Sequence, residues 1–230
     1  FNLPFLPLDK FGLFGEAVTI GLTFLWIVGV INALNLLDGL DGLAAGVSII
    51  VIGSLTLAIA VNGYGPDIVF VAAFIGAIAG FLVYNSHPAS IFMGDTGSLF
   101  LGFMLATFAL PITGEPNMSL AFLIPVLALG LPIADTLTAI VRRALTRKGL
   151  FSPDREHFHH RISTRLGYSH RATVFAMYAI SLAFGLASVF IAVSNDYPAM
   201  ALGLAMFSGM IIFLLLKLEY IRPSRGKRSR

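Results

Sequence analysis

Residues 17–62 read AVTIGLTFLWIVGVINALNLLDGLDGLAAGVSIIVIGSLTLAIAVN, two long apolar runs joined by a short acidic turn. The runs cover 17–36 and 43–62, and each has the length of about 20 residues that crosses a bilayer as a helix. The only ionisable side chains in this stretch are Asp38 and Asp41. A carboxylate near the hydrocarbon core is costly, so acids kept beside two spans are candidates for function. The pattern predicts an all-α membrane protein with a polar site at the ends of its helices.

The composition of the 230-residue chain agrees with that prediction. Hydrophobic residues make up 57% and charged residues 12%, which is about half the charged fraction of a soluble domain. Mean hydropathy is +0.88. The chain has no cysteine, so it has neither disulfides nor thiolate ligands, and a bound metal would need oxygen or nitrogen donors.

Further apolar runs follow the first two, and the joints between them carry glycine, proline and asparagine. We predict about seven transmembrane helices, at 17–36, 43–62, 67–84, 98–113, 119–140, 173–194 and 198–217. Continuous hydropathy without strand-like alternation favours helices over a barrel. We interpret residues 1–230 as a single integral membrane domain.

Positive charge is distributed unequally between the two predicted sides of the membrane. Lys10 lies on one side, and the other 14 of the 15 Lys and Arg residues lie on the opposite side. Most of these fall in a basic, histidine-containing loop at 141–172 and in a basic tail at 218–230. The positive-inside rule makes that side cytoplasmic. The acidic segments lie on the same side.

Three polar residues recur at the end of the first span. Asn35, Asp38 and Asp41 are three apart, so on a helix they would share one face. Gly39 and Gly42 allow the backbone to bend and a ligand to approach closely. A simple polar turn needs only one such side chain, and three in phase favour a ligand site.

A second acidic segment, Phe92-Met-Gly-Asp95-Thr-Gly-Ser98, begins the fourth span. Asp95 could cap that helix, or it could bind Mg²⁺, which prefers hard oxygen ligands. Asn85 has amide groups that match the edge of a nucleobase, and Phe92 has a ring face for stacking. Interfacial packing accounts for Asn85 and Phe92 equally well.

Several polar residues stand alone in the sequence. Asp135 ends an apolar run about two helical turns before Arg142 and Arg143, so an ion pair is as reasonable as a direct role. His87 and His170 have no polar cluster around them in the sequence. We interpret both as structural or surface residues.

The basic loop contains a histidine cluster, His157, His159 and His160, between Arg155 and Arg161. The cluster lacks cysteine and the His-x-x-x-His spacing of hydrolytic zinc sites. Phosphate recognition is the favoured interpretation, because Arg makes bidentate contacts with phosphate and His donates hydrogen bonds. A solvated loop is the alternative.

Four of these motifs occur together in one order: NALNLLDGLDGLA at 32–44, IFMGDTGSL at 91–99, PIADT at 132–136 and FSPDREHFHHR at 151–161. On these motifs the chain resembles the polyprenyl-phosphate N-acetylhexosamine-1-phosphate transferases. The resemblance covers essentially the whole chain. It is greatest to the WecA/TagO branch and more distant to the MraY translocase.

The resemblance implies an enzyme of the bacterial inner membrane whose active site faces the cytoplasm. Such enzymes move N-acetylhexosamine-1-phosphate, here most simply GlcNAc-1-phosphate, from a UDP-sugar to undecaprenyl phosphate and release UMP. They initiate cell-envelope polysaccharide synthesis and require Mg²⁺, for which Mn²⁺ is a substitute. Asp95 corresponds to the metal ligand, and Asn85 and Phe92 to positions that hold uracil.

The resemblance also assigns the remaining site residues. It implies catalytic roles for Asp38, Asp41, Asp95, His157, His159 and His160. It implies substrate contacts for Asn35, Asn85, Phe92, Asp135, Arg155 and Arg161.

One family motif, an adjacent Asp pair on an earlier cytoplasmic loop, has no counterpart in this chain. Because the family implies about eleven spans of about 20 residues each, we expect the N-terminal part to be lacking. Without the upstream Asp pair, we expect the 230-residue chain alone to show no turnover. The expected partners are a UDP-sugar, undecaprenyl phosphate and the lipid bilayer, with no nucleic acid; a homodimer is left open. The alternatives are a non-catalytic fragment or pseudoenzyme, and a transporter of an anionic or lipid-linked solute. A transporter, however, favours polar groups near the membrane midplane.

Overall fold

The computed structural model describes residues 8–63, 65, 67–113, 121–145, 157–194, 198, 201–205, 208–209 and 211–212. This part of the chain contains helices and no strand, so the prediction of an all-α protein is confirmed. After a 3-10 helix at Leu8–Phe11 come α1 (Gly12–Leu37), α2 (Leu43–Val61), α3 (Ile68–Asn85), α4 (Gly94–Thr113), α5 (Leu123–Ala128), α6 (Gly130–Leu145), α7 (Phe158–Leu166) and α8 (His170–Ser194).

Five of these helices, α1, α2, α3, α4 and α8, are long and apolar enough to cross a membrane. They correspond to five of the predicted spans. The main difference near the polar segments is that α4 begins at Gly94 rather than at residue 98. Asp95 therefore lies in the first turn of a helix.

The predicted continuous span at 119–140 is corrected by the structure, because the helix is broken within it. α5 ends at Ala128 and α6 begins at Gly130, with Leu129 between them. Pro132 has no N–H to donate to a preceding carbonyl, and Gly130 has a low helix propensity. The break lies where these two residues stand, and α6 then continues to Leu145, beyond the predicted end.

α1 packs against α4 at a close approach of the two backbones. A Cβ built on Gly102 would lie 2.6 Å from the Cα of Ile31, so only a residue without a side chain fits there. Farther along, the Trp26 indole N–H donates to the Ala106 carbonyl oxygen at 3.1 Å. In a membrane, such small-residue contacts and interhelical hydrogen bonds replace the hydrophobic effect as the force between helices. They place the end of α1 beside the start of α4.

α2 also packs against α8 at two positions where a glycine on one helix allows the other helix to approach closely. A side chain on Gly46 would overlap the Tyr178 ring, and a side chain on Gly185 would overlap the Ser54 hydroxyl. The buried core between these helices includes Val51, Ile52, Leu55, Met177 and Phe184. α8 is therefore seated along α2, with its N-terminal half beside the acidic turn that precedes α2.

The remaining predicted segments fall partly or wholly outside the described residues. The seventh predicted span, 198–217, is described only in helical pieces up to 212. Arg155 and the basic tail at 218–230 lie outside the described residues. Within the predicted loop at 141–172, the structure instead has the end of α6, the whole of α7 and the start of α8.

Candidate active site

The turn between α1 and α2, Asp38 to Gly42, is the centre of the candidate site, and we call it the acidic loop. Gly42 has φ of 81°, a left-handed conformation that favours glycine. Its N–H donates to Asn85 Oδ1 at 3.0 Å, and its carbonyl oxygen accepts from the Tyr178 hydroxyl at 2.6 Å. The loop is thus fixed at the two consecutive peptide units that flank the Cα of Gly42, one held by α3 and the other by α8.

A second set of contacts joins the end of α1 to the start of α4. The Asn35 amide nitrogen donates to Asp95 Oδ1 at 3.2 Å and to the Ser98 hydroxyl at 2.9 Å. Asn35 precedes the acidic loop, and Asp95 stands in the first turn of α4. The two acidic motifs of the sequence therefore meet side by side.

The acidic loop and the start of α4 enclose an open cavity of about 340 Å³. Its lining combines carboxylate and amide side chains with apolar ones. Phe92 stands at its edge with 75% of its surface exposed. The cavity is lined by Asp38, Gly39, Leu40, Asp41, Asn85, Phe92, Met93, Gly94 and Asp95.

The carboxylates around this cavity repel one another. Burial raises the pKa of Asp38 above its ordinary value, and the neighbouring charges of Asp95 and Asp41 raise it further. No hydrogen bond stabilises the Asp38 carboxylate within the described part of the chain. A cation bound beside Asp38 would relieve this repulsion.

Asp41 has a different environment from Asp38. Its Oδ2 lies 2.8 Å from His87 Nδ1 and accepts from the Ala89 amide at 3.2 Å. The hydrogen bond from His87 is the main cause that lowers the pKa of Asp41. The two carboxylates of this motif, three residues apart, thus differ: Asp41 accepts hydrogen bonds, whereas Asp38 accepts none within the described residues.

His87 belongs to a small cluster that sequence reasoning missed. Its ring stacks on that of His170, the first residue of α8, with centroids 3.9 Å apart and planes 16° apart. Arg171 donates to the His87 carbonyl oxygen at 3.0 Å. His170 lies 83 residues after His87, so no local pattern could have paired them. From the sequence, both were interpreted as structural or surface residues, and their meeting was not predicted.

Potential ligand atoms of Asp41, His87 and His170 lie within 4.8 Å of one another. Three such donors are the usual composition of a transition-metal site. The imidazole rings are nearly parallel, however, and their lone pairs lie in the ring planes, so the lone pairs run alongside each other and do not converge. The arrangement favours a stacked, hydrogen-bonded cluster over a coordination site.

Asp135 of α6 is buried and contacts the histidine cluster. Its Oδ2 lies 3.0 Å from His157 Nδ1, and its Oδ1 accepts from the Phe158 amide at 2.8 Å. From the sequence, Arg142 or Arg143 was a candidate ion-pair partner of Asp135. The contacts with His157 and Phe158 come from the start of α7. Asp135 therefore anchors the N-terminus of α7 through one backbone and one side-chain contact.

The histidine cluster is more buried than a solvated loop would be. His157, His159 and Arg161 expose 4%, 1% and 3% of their surfaces, and none of the three histidines lines the cavity. Neither ring nitrogen of His159 has a hydrogen-bond partner in the described part of the chain. A side chain on Gly39 would overlap the His159 ring, so α7 packs directly against the acidic loop.

Burial lowers the pKa of His159 to about 4. Asp135 opposes this shift, and His160 and His157 add to it. His159 is therefore neutral at pH 7. A neutral imidazole donates a hydrogen bond to phosphate but contributes no charge.

The structure thus brings most of the predicted residues to one end of the helices. Asn85 lines the cavity, but it is 3% exposed, and its amide donates to the Ile91 carbonyl oxygen while accepting from Gly42. In the structure, the Asn85 side chain holds the acidic loop in place through these hydrogen bonds. Uracil binding by Asn85 stays a prediction. Ser98, the last residue of the second acidic segment, and Tyr178 also belong to the site. From the sequence, Ser98 had no role of its own and Tyr178 was not indicated.

The fold and site together define a multi-pass α-helical membrane protein with a cluster of acids at one end of its helices. Comparison with known proteins gives the particular family. Residues 3–113, which include the acidic loop and Asp95, match glycosyl transferase family 4. The chain belongs to this family, within the group that contains polyprenyl-phosphate N-acetylglucosamine-phosphate transferases and phospho-N-acetylmuramoyl-pentapeptide-transferases.

Three relatives illustrate the similarity. The chain is 41% identical over 191 residues to a probable undecaprenyl-phosphate N-acetylglucosaminyl 1-phosphate transferase of Bacillus subtilis (82% of this chain, 52% of the relative). It is 34% identical over 226 residues to a decaprenyl-phosphate N-acetylglucosaminephosphotransferase of Mycobacterium tuberculosis (87% and 55%). It is 34% identical over 175 residues to a phospho-N-acetylmuramoyl-pentapeptide-transferase of Halalkalibacterium halodurans (75% and 51%). The chain spans about half the length of these relatives.

Proposed function

We propose that this protein transfers N-acetylhexosamine-1-phosphate from a UDP-sugar to undecaprenyl phosphate. In the net reaction an oxygen of the acceptor phosphate forms a bond to the sugar-bearing phosphorus of the donor. The bond from that phosphorus to the bridging oxygen breaks, and UMP leaves. GlcNAc is the proposed sugar, because the relatives with the longest aligned segments are named for its transfer.

The observation that carries this proposal is the meeting of two acidic segments across one open cavity. Asp95 and Asp38 face the same space from α4 and the acidic loop. Phosphoryl transfer depends mainly on positioning and charge neutralisation. A cavity with several carboxylates and a helix N-terminus offers both, once a cation is present.

The donor's diphosphate fits beside the first turn of α4. A helix N-terminus has unpaired N–H groups and a partial positive charge, which favour a phosphate group. Gly94 begins α4 and lines the cavity, so no side chain blocks an approaching phosphate there. The exposed ring of Phe92 at the cavity edge is the proposed stacking surface for uracil.

The residues present fit a Mg²⁺ ion. Asp95 and Asp38 offer hard oxygen donors, which this ion prefers. Burial first, and then the charge of Asp95, raises the pKa of Asp38. We propose Asp95 as the protein ligand, oriented by the Asn35 amide. Bound Mg²⁺, or Mn²⁺ in its place, would neutralise charge on the diphosphate.

The acceptor's polyprenyl tail fits an apolar groove between α1 and α6, of about 450 Å³. Trp26, Gly29 and Ile133 are among its lining residues. The groove reaches Ala33 on α1, two residues before Asn35, and Thr136 on α6, which follows Asp135 directly. A lipid in this groove would therefore present its phosphate to the acid cluster.

The proposed location is the inner membrane of a bacterium, with the site on the cytoplasmic side. The uneven distribution of Lys and Arg supports this orientation. A nucleotide sugar is a cytoplasmic metabolite, and the site would face its supply. The proposed product is a lipid-linked diphospho-sugar for cell-envelope polysaccharide synthesis.

The test is a transfer assay in membranes from cells that produce the full-length protein, with the upstream loop that is expected to carry the Asp pair. UDP-GlcNAc carrying a labelled sugar and undecaprenyl phosphate are supplied with Mg²⁺. We expect labelled lipid and an equal amount of UMP, and we expect chelation of the metal to abolish both. Membranes with the Asp95→Asn variant, at matched protein level, are the control.

Two results would contradict the proposal. One is the absence of acceptor-dependent UMP release with UDP-GlcNAc and with other UDP-N-acetylhexosamines. The other is acceptor-dependent product formation of equal rate in the Asp95→Asn membranes. Product from a different UDP-N-acetylhexosamine alone would keep the reaction class and change the sugar.

A further inference from the structure

Helix α8 makes three separate contacts with the segments that build the cavity. Tyr178 donates its hydroxyl hydrogen bond to the carbonyl oxygen of Gly42. His170 stacks on His87, whose Nδ1 contacts Asp41 Oδ2. Arg171 binds the carbonyl oxygen of His87. None of these α8 residues lines the cavity itself.

The Tyr178 contact is built into the packing of α8 on α2. The tyrosine ring occupies the space that a side chain on Gly46 would fill. Its hydroxyl therefore reaches Gly42, one helical turn before Gly46. At the preceding peptide unit, Asn85 accepts a hydrogen bond from the Gly42 N–H. Gly42 is thus held between α3 and α8, and the acidic loop has little freedom at its C-terminal end.

The His170 contact acts on a side chain rather than on the backbone. His87 lies between His170 and Asp41 and contacts both. The stack limits rotation of the His87 ring, and Arg171 limits movement of its backbone. The direction of the Asp41 carboxylate consequently depends on the first turn of α8.

We propose that Tyr178 and His170 are positioning residues, which fix the acidic loop for binding of the nucleoside diphosphate. Tyr178 acts through Gly42, and His170 acts through His87 and Asp41. The proposal rests on the function proposed above, since it names a donor for the cavity. It adds that the donor affinity is set partly by a helix that does not touch the donor.

The first experiment compares Tyr178→Phe with Tyr168→Phe in the purified protein. Tyr178→Phe keeps the ring beside Gly46 and removes the hydrogen bond to Gly42, whereas Tyr168 is an exposed control outside the cavity. Amide hydrogen exchange is measured over residues 38–46. We expect exchange there to be roughly threefold to tenfold faster in Tyr178→Phe, the size of one lost hydrogen bond, and unchanged in Tyr168→Phe.

The second experiment separates positioning from general stability. The KM for UDP-GlcNAc, the KM for undecaprenyl phosphate and kcat are measured for each variant. We expect Tyr178→Phe to raise the donor KM by roughly threefold to tenfold and to leave the acceptor KM unchanged. A tyrosine with only a structural role would lower the fraction of active protein, and therefore kcat, with both KM values unchanged.

His170 is tested with a conservative pair, His170→Phe and His170→Ala. Phenylalanine retains a ring that stacks on His87, and alanine does not. We expect His170→Ala to raise the donor KM and His170→Phe to restore most of the wild-type value. Equal donor KM values for His170→Ala and the wild type would overturn the role of His170, whichever way Tyr178→Phe behaves.

Failure of this proposal is distinguishable from failure of the proposed function. If the wild type neither binds UMP nor turns over UDP-GlcNAc, the function is wrong, and the hydrogen-exchange comparison still decides whether α8 fixes the loop. If the wild type is active and Tyr178→Phe changes neither loop exchange nor donor KM, the positioning role of Tyr178 is wrong and the function stands.

Discussion

Asn35 and Asp95 are 60 residues apart in the sequence and are joined by a hydrogen bond of 3.2 Å between the amide nitrogen and Oδ1. Asn35 lies in the last turn of α1, and Asp95 lies in the first turn of α4. The same amide also donates to the Ser98 hydroxyl. An amide that donates to a carboxylate leaves the second carboxylate oxygen free, so Asp95 is oriented without being neutralised.

Replacing Asp95 tests the centre of the proposed site. We expect Asp95→Asn to reduce Mg²⁺-dependent transfer by roughly a hundredfold or more, because it removes the charge that would hold the cation. Asp67→Asn is the matched control: Asp67 caps α3 at the far end from Asn85, and asparagine caps a helix equally well. Transfer is measured in membranes with equal amounts of each variant. Full activity of Asp95→Asn would reduce Asp95 to a structural role.

Asp38 gives a prediction about stability and pH. Its raised pKa means that the folded state favours the protonated acid. The stabilisation by that proton is complete below the ordinary pKa of 3.8 and is lost as the pH rises through the folded-state pKa. Asp38→Asn should therefore melt at a higher temperature than the wild type at pH 7, and the difference should shrink toward pH 4.

Added Mg²⁺ should narrow the gap between Asp38→Asn and the wild type at pH 7, since a cation relieves the same repulsion. Thermal melts of detergent-solubilised protein at several pH values, with and without Mg²⁺, supply the measurement. A wild type that melts above Asp38→Asn at pH 7 without metal would show that Asp38 is stabilised as a carboxylate.

His159 gives a slope of opposite sign. Its pKa is lowered to about 4 by burial, so the unfolded chain binds a proton there that the folded protein does not between pH 4 and 6.5. Stability from the neutral ring is complete above pH 6.5 and declines as the pH falls toward 4, by about 3 kcal/mol. His159→Asn should flatten this part of the stability profile. Parallel profiles for variant and wild type would contradict the burial of this ring.

The apolar groove is tested by filling it. A Cβ on Gly29 would meet no atom within 4 Å, and Gly29 lines the groove. Gly29→Leu should therefore fold and raise the KM for undecaprenyl phosphate by about tenfold, as expected for an overfilled site, without changing UMP binding. Gly21→Leu is the control, since Gly21 has equal free space on the same helix outside the groove. Equal KM values for undecaprenyl phosphate in the two variants would show that the polyprenyl tail does not bind in this groove.

Orientation in the membrane is tested by cysteine labelling, because the chain has no cysteine of its own. Cysteine is introduced in place of Ser163 on α7 or Gly65 between α2 and α3. With an impermeant reagent outside intact spheroplasts, we expect labelling at Gly65→Cys and none at Ser163→Cys until the membrane is opened. The reverse pattern would invert the predicted topology.

The helices were predictable because a membrane span depends on the apolar composition of one continuous stretch of sequence. A run of about 20 mostly apolar residues is enough to indicate α2, and its observed bounds, Leu43–Val61, differ by one residue from the prediction. The break at Leu129 was missed, since Leu131 and Ile133 keep the hydropathy high across it. Hydropathy measures solvent preference and is insensitive to a single missing backbone hydrogen bond.

The candidate site was predictable only where its residues lie close together in the sequence. Asn35, Asp38 and Asp41 form one motif, and the structure places them around or beside one cavity. His87 and His170 come together from α3's end and α8's start, and Tyr178 reaches the acidic loop from within a membrane helix. No local pattern distinguishes these three from ordinary residues.

The sequence by itself therefore determined the class of fold, and it predicts the sidedness of charge and the acids that a ligand would meet. These depend on the cost of placing each residue in lipid, which is a property of the residue and its near neighbours. The tertiary structure decided that Asp41 is tied to His87 while Asp38 is left beside Asp95, so that one motif holds two carboxylates with opposite pKa shifts. Those shifts arise from burial and from partners dozens of residues away, and both exist only after the helices have packed.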